Sequence, residues 1–130
     1  MYFGARDMAV EDRPLRLFKA LMHPARLEIL DVLRDGEQCV CHIEATLGLR
    51  QAYISQQLSV LRDVGLVQDR RDGWNIYYHV ADLEVYAVID AARRMTGAPP
   101  APARRKSASC PCPRCTSTLA KALKPSQGLA

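Results

Sequence analysis

The amino-acid sequence predicts a mainly α domain that carries a single β-hairpin, and two observations lead there. Apolar residues recur at helical spacing in five segments between Pro14 and Met95. One stretch, on either side of Asp72-Gly73, changes instead to the residue types and the period of strands. At 130 residues and 48% hydrophobic side chains, the chain can build one packed core and is too short for two ordinary ones. The expected organisation is an N-terminal arm (1–13), a folded domain (14–96) and a proline-rich, basic linker with a cysteine-containing tail (97–130).

Proline suits the first turn of a helix, so a first helix is expected from about Pro14 to Met22, with Leu15, Phe18 and Leu21/Met22 at helical spacing. His23 breaks it. Pro24 opens a second, mostly core helix that carries Leu27, Ile29, Leu30, Val32 and Leu33 and ends at Gly36, a residue suited to the left-handed conformation after a helix. A short third helix, about Val40 to Leu47, puts Val40, Ile43 and Leu47 on one face and stops at Gly48.

After a tight turn, a fourth helix is expected from about Gln51 to Val64. Its Ile54, Leu58 and Leu61 follow the i, i+4, i+7 rule of a buried stripe. The opposite stripe is Gln51, Ser55, Ser59 and Arg62, with Tyr53 and Gln56 beside it. These side chains are of the types that hydrogen-bond base edges and phosphates, so a short helix, a glycine turn and this polar face together read as helix-turn-helix; the plain alternative is a solvated surface. In the hairpin that follows, Leu66 to Arg71 and Trp74 to Val80 form the strands, and Arg70 and Arg71 near the tip would lie beside DNA phosphates, as in the wing of a winged helix. The plain alternative here is a hairpin with exposed arginines. A last helix, about Leu83 to Met95, carries Val85, Val88, Ile89 and Ala92, an apolar stripe with which a domain this small could pair with a second copy.

The net charge of +4 is unevenly placed. Residues 1–98 hold 12 Lys/Arg and 14 Asp/Glu, whereas residues 99–130 hold 6 Lys/Arg and no acid. Overall charge therefore cannot argue for nucleic-acid binding, and local pattern must. No stretch approaches the ~18 apolar residues of a membrane span, and the charged start, Met1 to Pro14, is unlike a signal peptide, so a cytoplasmic protein without a membrane partner is expected. In that compartment the five cysteines are expected as thiols, ligands or redox switches rather than structural disulfides.

In this order of elements, residues 14–95 resemble the ArsR/SmtB family of metal-responsive repressors. The motifs that carry the resemblance are HPARLEIL (23–30), CVCHIEATLGL (39–49), QAYISQQLSVLRDVGLV (51–67) and RRDGWNIYYHV (70–80). The resemblance implies a homodimer of winged helices, joined through terminal helices, that occupies a pseudo-palindromic double-stranded operator and leaves it when an effector binds. It implies that the fourth helix and the wing touch DNA. Cys39 and Cys41 stand where one branch of the family holds arsenite, antimonite, cadmium or lead. The family's zinc and nickel site on the last helix needs an Asp-x-His; Asp82-Leu83-Glu84 has no histidine, so that site is expected to be absent. Where the branch carries a histidine in the reading helix, this chain has Gln57.

Thiolates suit soft ions, and with the ions that the resemblance implies, As(III)/Sb(III), Cd, Pb or Zn is the expected effector. Residues two apart in an α-helix point about 200° away from each other. Cys39 and Cys41 therefore cannot both ligate one ion while that turn stays helical, and chelation is expected to distort the start of the third helix and shift the reading helix that it supports. Two thiolates are too few for a three-sulfur or four-coordinate site. Cys110, Cys112 and Cys115 can supply the remainder, because a linker of about 15 residues spans about 20 Å as a coil. Pro111 and Pro113 keep Cys110 and Cys112 extended, and Cys112-x-x-Cys115 is a chelating spacing. His42 is either a further donor or an ordinary helix-start side chain.

Other readings of the cysteines are a separate metal knuckle in the tail and a thiol-redox sensor. The tail's charge could also add non-specific DNA affinity. A thiol enzyme or a metal-transfer protein is disfavoured: there is no Cys-x5-Arg phosphate loop, and the DNA-reading elements would have no purpose.

Overall fold

A computed structural model of the chain describes residues 12–101. Five helices and three strands follow in the order α1 (Arg13–Leu21), α2 (Pro24–Val32), β1 (Gln38–Cys39), α3 (Val40–Leu47), α4 (Gln51–Asp63), β2 (Val67–Asp72), β3 (Asn75–Val80) and α5 (Glu84–Thr96). The strands form one antiparallel sheet in the order β1-β3-β2. The hairpin was legible; β1 was not. Two residues that precede α3 are drawn into the sheet, with Gln38 opposite Tyr78 and Cys39 opposite Tyr77.

Two turns also differ from the sequence reading. The second helix does not run on to Gly36 but leaves through a 3-10 turn, Leu33–Asp35, and Gly36 takes φ 134°, ψ −170°, outside the left-handed helical region. The hairpin closes one residue later than expected. Asp72 pairs with Asn75, which leaves Gly73 and Trp74 at the tip; Gly73, at φ 61°, occupies the position where a type II′ turn takes glycine.

The core is the predicted one in its centre. Ile29, Leu30, Leu33, Ile43, Ile54, Leu58, Leu61 and Val67 are fully buried, so α4 packs its whole apolar stripe on α2 and α3. Each such side chain contributes about 1.5–3 kcal/mol by leaving water. Helix α5 corrects the expectation for its stripe: Val85 and Ile89 are buried in the chain's own core, Val88 is half-buried and Ala92 exposed. Four charged side chains clamp α5 to α2. Asp31, almost wholly buried, accepts from Arg93 at 2.7 Å and from Arg34 at 3.2 Å, and Arg34 also donates to both oxygens of Asp90 at 2.9 and 3.0 Å. Arg34 holds the Asp90 carboxyl below the usual carboxylate range.

Beneath the clamp, Arg34 lies 4.4 Å from the Tyr86 ring centroid, and Tyr86 Oη donates to the Leu30 carbonyl at 2.6 Å. Burial pushes the Tyr86 phenol above its ordinary pKa. A raised folded value means that the unfolded chain ionises first, so this group's stability is whole below pH ~10 and is lost as pH rises past it. Tyr86→Phe is expected to lower unfolding free energy by about 1 kcal/mol at pH 7 and to flatten part of the fall above pH ~10, as measured by urea denaturation across pH.

Candidate nucleic-acid interface and cysteine cluster

Helix α4 follows α3 through Gly48, which closes α3 in the left-handed conformation at φ 68° and donates to Glu44 at 2.8 Å. A Cβ there would meet nothing within 4 Å, so glycine is needed for its backbone, not for space. With Ile54, Leu58 and Leu61 turned inward, α4 presents Gln51, Tyr53, Ser55, Gln56 and Arg62 to solvent; Ser59 is half-buried. Arg62 reaches Asp69 on β2 at 3.7 Å. Gln57 is excluded from this face: it is buried, and its Oε1 accepts from Arg26 Nε at 2.8 Å. Arg26 also donates to the carbonyls of Lys19 and Ala20, at 3.4 and 3.3 Å, and so ties the end of α1 to the reading helix.

The wing arginines, expected as a pair beside phosphates, have different settings. Arg70 lies opposite Tyr77, which lies opposite Cys39, and directly opposed residues share a sheet face. Arg71 lies opposite Ile76, on the other face. Arg70 is held by a fork of two hydrogen bonds to Glu37, at 2.7 and 3.0 Å, and its guanidinium lies 4.9 Å from the Tyr77 ring centroid. His79 Nδ1 lies 3.9 Å from the same Glu37 carboxylate. Arg71 is exposed, and Trp74, fully exposed, stands at the tip.

Cys39 requires a correction of the mechanical expectation. It is not helical: at φ −79°, ψ 159° it ends β1 and caps α3, its Sγ accepting from the His42 amide at 3.3 Å. Of the two cysteines only Cys41 belongs to the helix, so chelation by both does not require that turn to unwind. Cys39 and Tyr77 form a small buried cluster against which Cys41 and Ala45 pack. His42 is buried, and its Nε2 lies 3.4 Å from Thr46 Oγ1. Among the described residues no group of three or more His, Cys, Asp or Glu side chains is placed to hold a metal ion. Cys110, Cys112 and Cys115 lie outside the described residues.

Sequence reasoning missed Glu37, Tyr77, Arg26 and His23. Nothing local marks Glu37 or Tyr77, because their roles depend on the β1–β3 pairing. Arg26 and His23 did carry a signal, a basic side chain and a cap-position histidine flanking Pro24, but not their partners on α4.

A supporting helix, a glycine turn, an exposed polar reading helix and a hairpin behind it define a winged helix-turn-helix DNA-binding regulator. The family described as "Bacterial regulatory protein, arsR family" matches residues 23–69. The "Biofilm growth-associated repressor" of Agrobacterium fabrum is 42% identical over 83 residues, which cover 64% of this chain and 71% of that one. Among solved structures, reduced HlyU from Vibrio cholerae superposes with a TM-score of 0.59 at 34% identity, covering 65% of this chain and 90% of that one. The homodimeric winged helix-turn-helix domain of Mb0332 from Mycobacterium bovis gives 0.62 at 32% identity, covering 73% and 94%. The chain belongs to the ArsR family of transcription regulators. No described helix is long and apolar enough to cross a membrane.

Because Gln57 serves the core, Gln57→Ala is expected to cost about 1–3 kcal/mol of stability in urea denaturation, by stripping the Arg26 guanidinium of a partly buried acceptor. A base-reading residue would instead lose sequence preference at unchanged stability.

Proposed function

We propose that the chain is a homodimeric repressor that binds double-stranded operator DNA through α4 and the wing and releases it when a soft ion is held by cysteine thiolates. The observation that carries this reading is the place of Cys39: it is at once a member of the cysteine cluster and a rung of the ladder that anchors the wing. Cys39 and Cys41 would hold As(III)/Sb(III), Cd, Pb or Zn, and Cys110, Cys112 and Cys115 of the tail would complete the donor set. Cys39 Sγ, which accepts the His42 amide at 3.3 Å, would bind such ions as the thiolate. Bound to thiolates, the ion supplies strong, geometrically demanding coordination.

What the chain's own residues contribute is the coupling. Cys39 cannot shift without disturbing its rung with Tyr77, and Glu37, two residues before it, grips Arg70 of the wing. A change at Cys39 is thereby carried to β3 and to a wing cation without unwinding α3. Gln51, Tyr53, Ser55, Gln56, Ser59 and Arg62 would make the major-groove and phosphate contacts, and Arg71 would meet the backbone. Dimerisation would use the apolar surface left over on the terminal helices, where Phe18, Met22 and Met95 are exposed beside Val88 and Ala92. The Mb0332 neighbour, a homodimer, supports this. The same thiols support a second reading, control by thiol oxidation, which the similarity to a structure of HlyU in its reduced state favours.

With a labelled duplex selected by the chain from a random pool, arsenite, lead, cadmium and zinc are titrated into the complex and anisotropy is followed. Release by at least one ion, abolished in Cys39→Ser and Cys41→Ser and weakened by truncation before Cys110, is expected. Release that survives both substitutions contradicts the reading, and release by oxidant alone, reversed by reductant, selects the redox form. In the same assay Arg71→Gln should reduce the slope of log affinity against log salt by about 0.9, the share of one phosphate contact.

A further inference from the structure

We propose that His23 is a positioning residue for DNA binding: it orients the Tyr53 hydroxyl on the reading helix so that its hydrogen is donated to a backbone phosphate. The inference rests on the reading of α4 as the DNA-contacting helix and adds a residue that lies outside it.

His23 sits at the corner between α1 and α2, extended at φ −157°, ψ 126°, as expected for a residue that precedes a proline. Its Nδ1 accepts the Ala25 amide at 3.2 Å and so caps α2. A nitrogen that accepts carries no hydrogen, which places the ring's hydrogen on Nε2. Nε2 lies 3.4 Å from Tyr53 Oη, thirty residues along the chain, with the two rings tilted at 47° and their centroids 6.4 Å apart. The direction of this contact is therefore fixed: imidazole N–H donates and the phenol oxygen accepts. A phenol has a single hydrogen, and with its oxygen already accepting, the Tyr53 hydroxyl is left to donate outward.

The matching ligand atom is an acceptor, and the surroundings favour an anionic one. Tyr53 is 37% exposed and lines a shallow groove with Arg50, Gln56 and the Gly48-Leu49 turn. The corner that carries His23 is itself fixed to α4 by Arg26, which joins the α1 carbonyls to Gln57. The Tyr53 hydroxyl is thus ordered before DNA arrives, which reduces the side-chain entropy lost on binding.

The test is a double-mutant cycle in the full-length chain with His23→Asn, Tyr53→Phe and the pair, read by anisotropy on the selected duplex and by thermal melting. Asparagine is a good cap for α2 but cannot present the imidazole N–H to Tyr53; should His23→Asn melt early, His23→Ser replaces it. Each single change is expected to weaken binding about three- to tenfold, with the double variant no weaker than Tyr53→Phe alone. The slope against salt should stay unchanged, since a neutral donor releases no counterion. Wild-type affinity in His23→Asn beside weakened Tyr53→Phe overturns the proposal and leaves the α4 reading intact. Wild-type affinity in Tyr53→Phe overturns both the proposal and the DNA contact assigned to Tyr53. Additive losses overturn the proposal by showing that His23 acts on the fold at large.

Discussion

Among the described residues only Gln38 and Cys39 pair with β3 outside the hairpin, yet most of what distinguishes the functional surface depends on that short ladder. It lifts Cys39 out of α3 and places it beside Tyr77, with Cys41 packed against the pair. It also brings Glu37 within reach of Arg70 across the sheet. Without β1, the cysteine segment and the wing would be neighbours only through the core; with it, they are rungs of one sheet. The wing is thereby tied to the chain ahead of the supporting helix as well as to the helix behind it.

Interactions of two strengths would serve the proposed switch. The Glu37–Arg70 pair is half exposed at its arginine end, where solvent screens it, so a DNA phosphate would be able to compete with Glu37 for Arg70. The clamp of Asp31, Arg34, Asp90 and Arg93 is set deeper, with Asp31 nearly buried, and breaking it would leave a charge without its partners. Coupling between an effector site and a DNA surface amounts to about 1–3 kcal/mol in ordinary cases. In the proposed switch, the screened wing contact would answer the cysteines, while the deeper α2–α5 clamp keeps the fold.

How far the sequence reached follows from which interactions are local. The helices, the glycine stop at Gly48 and the buried stripe Ile54, Leu58 and Leu61 are dictated by spacing within a few residues, and all were legible. The hairpin was legible for the same reason, although its turn fell one residue late because Gly73 serves as the first turn residue and not the second. Strand β1 was not legible, since two residues have no period and their partner lies nearly forty positions away. The division of α5 was missed because Val85, Val88, Ile89 and Ala92 form one stripe by spacing, and only the packing of α2 decides which of them the chain keeps for itself. At the candidate site, the exposure of most of the α4 face could be read from periodicity; the burial of Gln57 and the capture of Arg70 depend on Arg26 and Glu37, distant in sequence.

In the proposed switch the cysteine cluster acts on the wing through the β1–β3 rungs. Amide hydrogen exchange of the full-length protein, with and without the ion that releases DNA, tests it most directly. Exchange at residues 37–39 and 75–78 is expected to change together on ion binding, while the amides of α3 beyond its first turn keep their protection. Unwinding of α3 with the β1–β3 amides unchanged would contradict it.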